Sequence, residues 1–192
     1  MYDKNKIVIL DLEATCWEQN SSYQRSLSEI IEIGVCVLDI NTGGITQNEG
    51  ILVKPFKSEV STFCTELTTL TQEMLDTKGV TLSEACMILR EEYKTETLVW
   101  ASYGEYDKKM LENQCRKWSI LYPMNDNHIN VKKELSKISM KSMGMERALK
   151  YIGIKLDGTH HRGVDDARNI AKILYWLVNN SKSGVNTMIN EK

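Results

Sequence analysis

The order of strand-like and helix-like segments is the feature that most limits how this 192-residue chain can fold. Short runs rich in β-branched residues predict strands at 6–12, 29–39, 48–53, 97–102 and 128–131. The first three come before any long helical pattern, with a turn at 41–44, so we expect an antiparallel meander there. The later strands alternate with helices. The pattern therefore predicts an α/β fold in which a mixed five-stranded sheet is flanked by helices.

Helical periodicity begins near Ser61 and recurs to the end of the folded region. After that first helical region, we expect helices at 83–93, 105–118, 132–139, 143–152 and 164–179. No linker rich in proline or glycine and no internal repeat separates these segments. We therefore expect a single domain over 1–180, followed by a polar tail at 181–192.

Composition excludes several classes of protein. The chain carries 24 basic and 26 acidic residues, a formal charge of −2, which argues against nucleic-acid binding by global positive charge but allows a local patch. The five cysteines are scattered without a C-x-x-C pair, as expected of free thiols in a reducing cytoplasm rather than a zinc ribbon or a disulfide framework. An apolar leader and an apolar run of about 18 residues are both absent, so we expect a cytoplasmic protein with no membrane partner.

Asp11 and Glu13 close the first predicted strand. Residues two apart in a strand project from the same face, so the two carboxylates lie side by side. Their mutual repulsion is relieved by a cation, which makes the pair a candidate site for a divalent metal. The alternative is a strand that simply ends in polar residues. Asp107 follows the fourth strand and reaches the same cation if strands one and four are neighbours; alternatively, it is an acid favoured by the helix dipole.

A further candidate precedes the last predicted helix, where His160 and His161 stand five residues before Asp165 and Asp166. Helical periodicity places Asp166 beside the apolar face of that helix and Asp165 on the polar side. Asp166 is therefore the predicted ligand and His161 its companion. The alternative for the histidines is a loop pair without a chemical role.

Taken together, these residues follow the order D-x-E, Asp, His-x-x-x-x-Asp, which resembles the DEDDh exonucleases, the family of ribonuclease T and the proofreading subunit of bacterial DNA polymerase III. The segments DLEATC (11–16), FCTELT (63–68), LTQ (70–72) and GVDDARNIA (163–171) resemble the subgroup of histone-mRNA and small-RNA 3′ exonucleases. The resemblance covers roughly residues 6–178. It departs from the family where 102–107 lacks a His-Asn pair, and the chain has no room for the accessory nucleic-acid-binding domain of some members.

The resemblance implies an RNase H-like fold and two-metal hydrolysis of the terminal phosphodiester at a free 3′ end of single-stranded nucleic acid, with RNA favoured over DNA. It implies that Asp11 bridges two Mg²⁺ or Mn²⁺ ions, that Glu13 and Asp166 hold the nucleophile-side ion, and that Asp107 supports the other. It further implies that His161 takes the proton from the attacking water and that nucleoside 5′-monophosphates are released.

Substrate contacts also follow from the resemblance. The backbone of Ala14 and Thr15 is expected to hold the terminal ribose, and Tyr106 to stack on the last base unless it packs beneath its helix. We expect backbone phosphates to meet the basic stretch at 131–155, although a solvated helix face would have the same composition. Two rival functions use the same fold: a catalytically weak RNA-binding or interaction module, and a small-molecule metallophosphohydrolase.

Overall fold

The computed structural model describes residues 5–19 and 21–180. One sheet is formed by strands β1 (Lys6–Ala14), β2 (Ile30–Asp39), β3 (Ile45–Leu52), β4 (Trp100–Ser102) and β5 (His128–Asn130). The helices of the described residues are α1 (Ser22–Leu27), α2 (Thr62–Thr68), α3 (Gln72–Lys78), α4 (Leu82–Tyr93), α5 (Tyr106–Lys117), α6 (Val131–Ser139), α7 (Met145–Tyr151) and α8 (Gly163–Asn180). None of the helices in this part of the chain has the length and apolar character needed to cross a membrane.

The strand order β3-β2-β1-β4-β5 confirms the predicted mixed sheet. Strands β1, β2 and β3 form the expected antiparallel meander, whereas β1 pairs with β4, and β4 with β5, in parallel. Parallel neighbours need a crossover connection, which here contains α2 to α4 before β4 and α5 before β5. Strands β1 and β4 therefore end at the same edge of the sheet, as the prediction for Asp107 required.

Strand β1 lies at the centre of the sheet and is covered on both faces. Ile7 and Ile9 pack into the core that α8 closes, whereas Val8 and Leu10 pack into the opposite core beneath α4 and α5. Because side chains alternate along a strand, the face carrying Ile7 and Ile9 continues through residues 11 and 13. The two acids of β1 therefore project towards α8.

Several element boundaries differ from the prediction. Strand β1 continues to Ala14 because β2 pairs with it beyond Leu12, through Glu13 and Glu32. Strand β4 is shorter than predicted because the amides of Thr97 and Leu98 bond back to the Lys94 carbonyl in a turn. Helix α1 was not predicted: its sequence is polar, and a capping box at Ser21 begins it. The predicted tail at 181–192 lies outside the described residues.

Candidate active site

Three of the predicted site acids approach one another where β1 faces the start of α8. Asp11 and Glu13 project from β1, and Asp166 lies in the first turn of α8. Each offers a carboxylate oxygen, and these oxygens all lie within 4.8 Å of one another. Asp11 and Asp166 lie 155 positions apart in the sequence. Alternation along β1 and helical periodicity in α8 made both of them candidates for one site.

Asp107 joins the cluster from the first turn of α5. Its Oδ1 accepts a hydrogen bond of 3.2 Å from the backbone amide of Leu12, which lies between the two β1 acids. Gly104, with φ of 125°, allows the sharp turn from β4 into α5 that directs Asp107 back to β1. The structure thus brings together all four predicted carboxylates.

Both histidines of the loop before α8 lie beside Asp166. The ring that contacts Asp166 belongs to His160, whose Nδ1 is 3.0 Å from Oδ2. His161 reaches the same oxygen through its backbone amide, which donates at 2.9 Å, and its φ of 65° is left-handed. The two imidazoles stack with centroids 4.0 Å apart. Among the described residues, the His161 ring makes no hydrogen bond, so its nitrogens are available to other groups.

The pKa values of the acids are all displaced upwards. Burial, followed by repulsion from neighbouring carboxylates, raises the pKa of Asp11 well above its ordinary range and that of Glu13 to about 8. Burial likewise raises the pKa of Asp107 to about 6, and that of Asp166 also rises. Desolvated carboxylates that repel one another become stable as anions when a cation lies between them. An oxygen-rich set of this kind fits Mg²⁺ or Mn²⁺.

Glu32 is a supporting residue that the sequence prediction missed. Its fully buried carboxylate on β2 accepts two hydrogen bonds of 3.2 Å from the Arg162 guanidinium and one of 2.9 Å from the Gly163 amide. It therefore ties the histidine loop to the strand that pairs with β1. The available signal was a single acid inside the apolar run of β2, because such residues are rarely buried without a partner.

Two glycines allow α8 to approach the sheet closely. A Cβ added at Gly34 on β2 would lie 1.8 Å from the carbonyl oxygen of Gly163, the first residue of α8. A Cβ added at Gly163 would lie 2.9 Å from the Gly34 amide nitrogen. Backbone therefore meets backbone at this point, which brings Asp166 within reach of Asp11.

The acids open into two adjoining clefts that share Leu12, Glu13 and Tyr106. One, of about 300 Å³, is lined by the acids and both histidines, and the other, of about 430 Å³, extends past Ala14 and Thr15. Tyr106 does not pack beneath its helix, since 59% of its surface is exposed.

The two residues predicted to bind the ribose are Ala14 and Thr15, and the polar groups of Thr15 are already engaged within the protein. Ala14 lines the larger cleft. Thr15 is buried, its amide donates to the Glu29 carbonyl, and its hydroxyl lies 2.9 Å from that of Ser58 while accepting from the Glu29 amide. These hydrogen bonds of Thr15 therefore stabilise the wall of the cleft.

The predicted basic stretch at 131–155 is divided in the structure. Lys137 pairs with Glu134 within α6. Arg147 and Lys150 on α7 are exposed, and Met145 at the start of that helix lines the smaller cleft. Phosphate binding by this surface remains a prediction.

The sequence profile of the RNase T exonuclease family matches residues 8–174, a span that contains all four acids and both histidines. The chain belongs to the RNase T exonuclease family. Among solved structures, the nuclease domain of 3′hExo, a DEDDh family member bound to rAMP, is similar with a TM-score of 0.84 and 28% identity, covering 92% of this chain and 93% of that one. This likeness confirms the RNase H-like architecture expected for the exonuclease family.

Two curated members of the family show the same likeness in sequence. The 3′-5′ exoribonuclease 1 of Homo sapiens is 32% identical over 97% of this chain and 55% of its own length. The 3′-5′ exonuclease Snipper of Drosophila melanogaster is 27% identical over 90% of this chain and 69% of its own length. This chain therefore spans little more than half of the human relative.

Proposed function

We propose that this chain is a divalent-metal-dependent 3′-5′ exonuclease that shortens single-stranded nucleic acid, with RNA preferred to DNA. The observation that carries the proposal is the approach of the Asp11, Glu13 and Asp166 oxygens within 4.8 Å beside an open cleft. Membership of the exonuclease family supports it. The preference for RNA rests on the human relative, named an exoribonuclease, and on 3′hExo, bound to rAMP.

We infer that Asp11, Glu13 and Asp166, together with Asp107, hold two Mg²⁺ or Mn²⁺ ions. Bound ions of this kind supply positive charge opposite the charge that develops on the scissile phosphate. The carboxylates are already assembled on three packed elements, so little reorganisation is needed when the ions bind. The raised pKa values of Glu13 and Asp107 are the cost of assembling that charge.

The reaction is hydrolysis of the last phosphodiester bond. A water oxygen bonds to the terminal phosphorus, the bond to the 3′ oxygen of the preceding nucleotide breaks, and a nucleoside 5′-monophosphate leaves. The released 3′ oxygen takes up a proton from solvent and becomes the 3′ hydroxyl of the shortened strand. His161 receives the water proton, because its ring is half-buried and free of hydrogen bonds among the described residues. Burial, followed by the neighbouring His160, lowers the pKa of His161, so the imidazole is neutral at pH 7 and ready to accept a proton.

His160 has a different role in this proposal. Its Nδ1 is engaged by Asp166, and its ring lies against that of His161. We assign it as a positioning residue that orients Asp166 and limits the rotation of the His161 ring. Proton transfer therefore depends on His161, and the efficiency of that transfer depends on His160.

The terminal nucleotide is proposed to lie where the two clefts meet. The exposed ring of Tyr106 offers a face on which the last base stacks, independent of its sequence. Ala14 and Thr15 form the wall beside the ribose, and because the polar groups of Thr15 are engaged within the protein, this wall selects by shape.

The experiment that tests the proposal uses 5′-labelled single-stranded RNA and DNA with free or blocked 3′ ends, in Mg²⁺, Mn²⁺ or chelator. A ladder of shortened products that requires metal and a free 3′ hydroxyl supports it, and faster decay of RNA supports the sugar preference. Cleavage inside the strand, or hydrolysis only of small phosphate esters, contradicts it. Binding without cleavage would favour the catalytically weak interaction module.

Adjacent acids provide matched variants for this experiment. Asp166→Asn removes a charge from the cluster, whereas Asp165→Asn removes the neighbouring charge, which pairs with Arg168 outside the cluster. We expect the first change to abolish the ladder and the second to leave most of it. Equal effects of the two changes would contradict the assignment of the site.

A further inference from the structure

Helix α5 connects the proposed active site to a second groove. Residues spaced four apart form a ridge along one side of this helix: Tyr106, Met110 and Gln114 within α5 and Trp118 at its C-cap. Tyr106 and Met110 line the larger active-site cleft, whereas Gln114 and Trp118 line a groove of about 340 Å³. Twelve residues of helix separate the two ends, a distance of about 18 Å.

Gln114 joins the two regions through hydrogen bonds. It lines the groove, and its side-chain amide donates to the carbonyl of Ser28, which belongs to the active-site cleft. Its side-chain oxygen accepts from the amide of Ile30 at the start of β2. The floor is therefore continuous from Tyr106 to the groove.

The far end of the groove carries an exposed aromatic pair with two cations. The rings of Phe56 and Trp118 meet edge to face with centroids 5.0 Å apart, and Phe56 is 76% exposed. The ammonium groups of Lys57 and Lys117 each lie 5.1 Å from the centroid of the Trp118 ring. An accessible aromatic face beside cations is the combination that binds bases and backbone phosphates of single strands.

The loop that carries Phe56 is fixed to the active-site wall. The buried Glu29 carboxylate accepts hydrogen bonds from the amides of Phe56, Lys57 and Ser58 at 3.1, 2.8 and 2.5 Å. The Ser58 hydroxyl in turn meets that of Thr15. Glu29 is the one acid among the described residues that line the groove, and its charge faces these amides. Lys54, which also lines the groove, pairs with Asp76 at 3.1 Å, so the positive charge beside the aromatic pair comes from Lys57 and Lys117.

We propose that the α5 ridge and the Phe56 loop bind the nucleotides that precede the 3′-terminal one in a single-stranded polynucleotide. Phe56 stacks on a base, Lys57 and Lys117 contact phosphates, and Gln114 lies beneath the strand between them. The proposal rests on the exonuclease function above and adds the direction in which the substrate leaves the active site. A path of about 18 Å accommodates several nucleotides, within the site sizes of about four or more known for single-strand binding.

The test compares a 12-nucleotide substrate with a trinucleotide, which is too short to reach Phe56. The readout is the ratio of kcat/KM for the longer substrate to kcat/KM for the shorter one. Phe56→Ala with Lys57→Ala should lower this ratio at least about five-fold through a higher KM for the 12-mer, the loss expected for one base stack. Phe56→Trp keeps an aromatic ring, so the ratio for this variant should equal that of the wild type.

A control removes an exposed apolar side chain and a lysine elsewhere. Met87 is an exposed apolar side chain on α4, and Lys94 follows the end of that helix with φ of 55°. Met87→Ala with Lys94→Asn should leave the ratio unchanged, and asparagine tolerates the left-handed backbone at 94. Removing both groove lysines, Lys57 and Lys117, should also reduce the salt dependence of 12-mer binding, by a slope of about 0.7 for each phosphate contact.

The remaining outcomes contradict the proposal in distinguishable ways. An unchanged ratio in the Phe56 and Lys57 variant, with the wild type active, overturns this inference alone. A loss confined to Arg147→Ala with Lys150→Ala places the strand on α7 instead. A change in molar mass by light scattering without a change in ratio makes the groove an interface between copies of the chain. A wild type that cleaves neither RNA nor DNA overturns the exonuclease function and this inference with it.

Discussion

The carboxylate of Asp107 accepts the amide hydrogen of Leu12 at 3.2 Å, although 95 residues separate them in sequence. Leu12 stands between Asp11 and Glu13 on β1, so this bond fixes the start of α5 against the part of the strand that bears the two acids. Asp107 thus combines a charge directed at the cluster with a structural contact to the backbone. The two contributions can be separated by substitution.

Asp107→Asn should remove activity while preserving the fold. Asparagine keeps an oxygen that can accept the Leu12 amide, but it lacks the charge that we assign to metal binding. We expect kcat to fall at least about 100-fold, with a thermal midpoint in chelator equal to or above that of wild type, because repulsion with Asp11 is relieved. Asp107→Ala should in addition lower the free energy of unfolding by roughly 1–3 kcal/mol, since the buried amide loses its partner. Equal stability of the two variants would contradict the structural contribution.

His161→Ala and His160→Ala should differ in their effects on kcat and on its pH dependence. Loss of the proposed general base at 161 should lower kcat by about 10²- to 10⁴-fold and remove the rise of activity with pH that accompanies its deprotonation. Loss of His160, the positioning residue, should cost less in kcat and leave that pH dependence in place. A pH profile of kcat for each variant makes the comparison, and a reversed order would exchange the two assignments.

Stability without metal should decline as pH rises. Glu13 titrates near 8 in the folded protein against an ordinary value of 4.5, so folding favours its protonated form. That contribution is present in full below pH 4.5 and is lost as pH rises through about 8, an effect of the order of a few kcal/mol. Chelator-treated protein should therefore unfold more easily at pH 9 than at pH 6, and Glu13→Gln should flatten this dependence.

Divalent ions should reverse that loss. Mg²⁺ or Mn²⁺ at about 100 times its dissociation constant should add roughly 2.7 kcal/mol to the free energy of unfolding at pH 8. Asp11→Asn should abolish this gain, because it removes one of the three oxygens that lie within 4.8 Å of one another. Thermal unfolding followed with and without metal measures both effects, and an undiminished gain in Asp11→Asn would exclude this cluster as the metal site.

The protonation of His128 should contribute to the loss of folding stability at acid pH. Burial lowers its pKa to about 4 from 6.5, and its Nε2 lies 2.9 Å from the Ser102 hydroxyl. The unfolded chain therefore binds a proton between pH 6.5 and 4 that the folded protein does not, and stability falls as pH decreases through this window. Because the ring is only partly buried and solvent screens its charge, the loss is smaller than the full conversion at 1.36 kcal/mol per pKa unit, of the order of 1–2 kcal/mol. In His128→Gln the difference in unfolding free energy between pH 6.5 and 4 should shrink by about this amount; an unchanged difference would contradict it.

Periodicity and element order were sufficient to predict the sheet, whereas the four acids were joined into one proposed site only by the resemblance to the exonuclease family. Alternation along β1 placed Asp11 and Glu13 on one face, and the helical period separated Asp166 from Asp165. The end of β1 was set too early, because pairing of Glu13 with Glu32 depends on a neighbouring strand rather than on local composition.

The contacts of the two histidines could not be predicted from local sequence pattern. Equal spacing links His160 to Asp165 and His161 to Asp166, yet the ring of His160 is the one that contacts Asp166. That arrangement follows from the left-handed backbone at His161 and from the Arg162 guanidinium on Glu32, 130 residues away. Neither a left-handed residue nor a distant ion pair leaves a periodic signal in sequence, so these contacts needed the folded structure.

The backbone contact between Gly34 and Gly163 sets a requirement on this chain that its charged residues do not reveal. Adding one methyl group at residue 34 would displace the start of α8 and separate Asp166 from Asp11, without altering any residue of the acid set. We therefore expect a Gly34→Ala variant to keep every acid and both histidines and still lose activity through a single small side chain on β2. The identity of residues 34 and 163 is thus a condition for an assembled site that is independent of the acidic motifs.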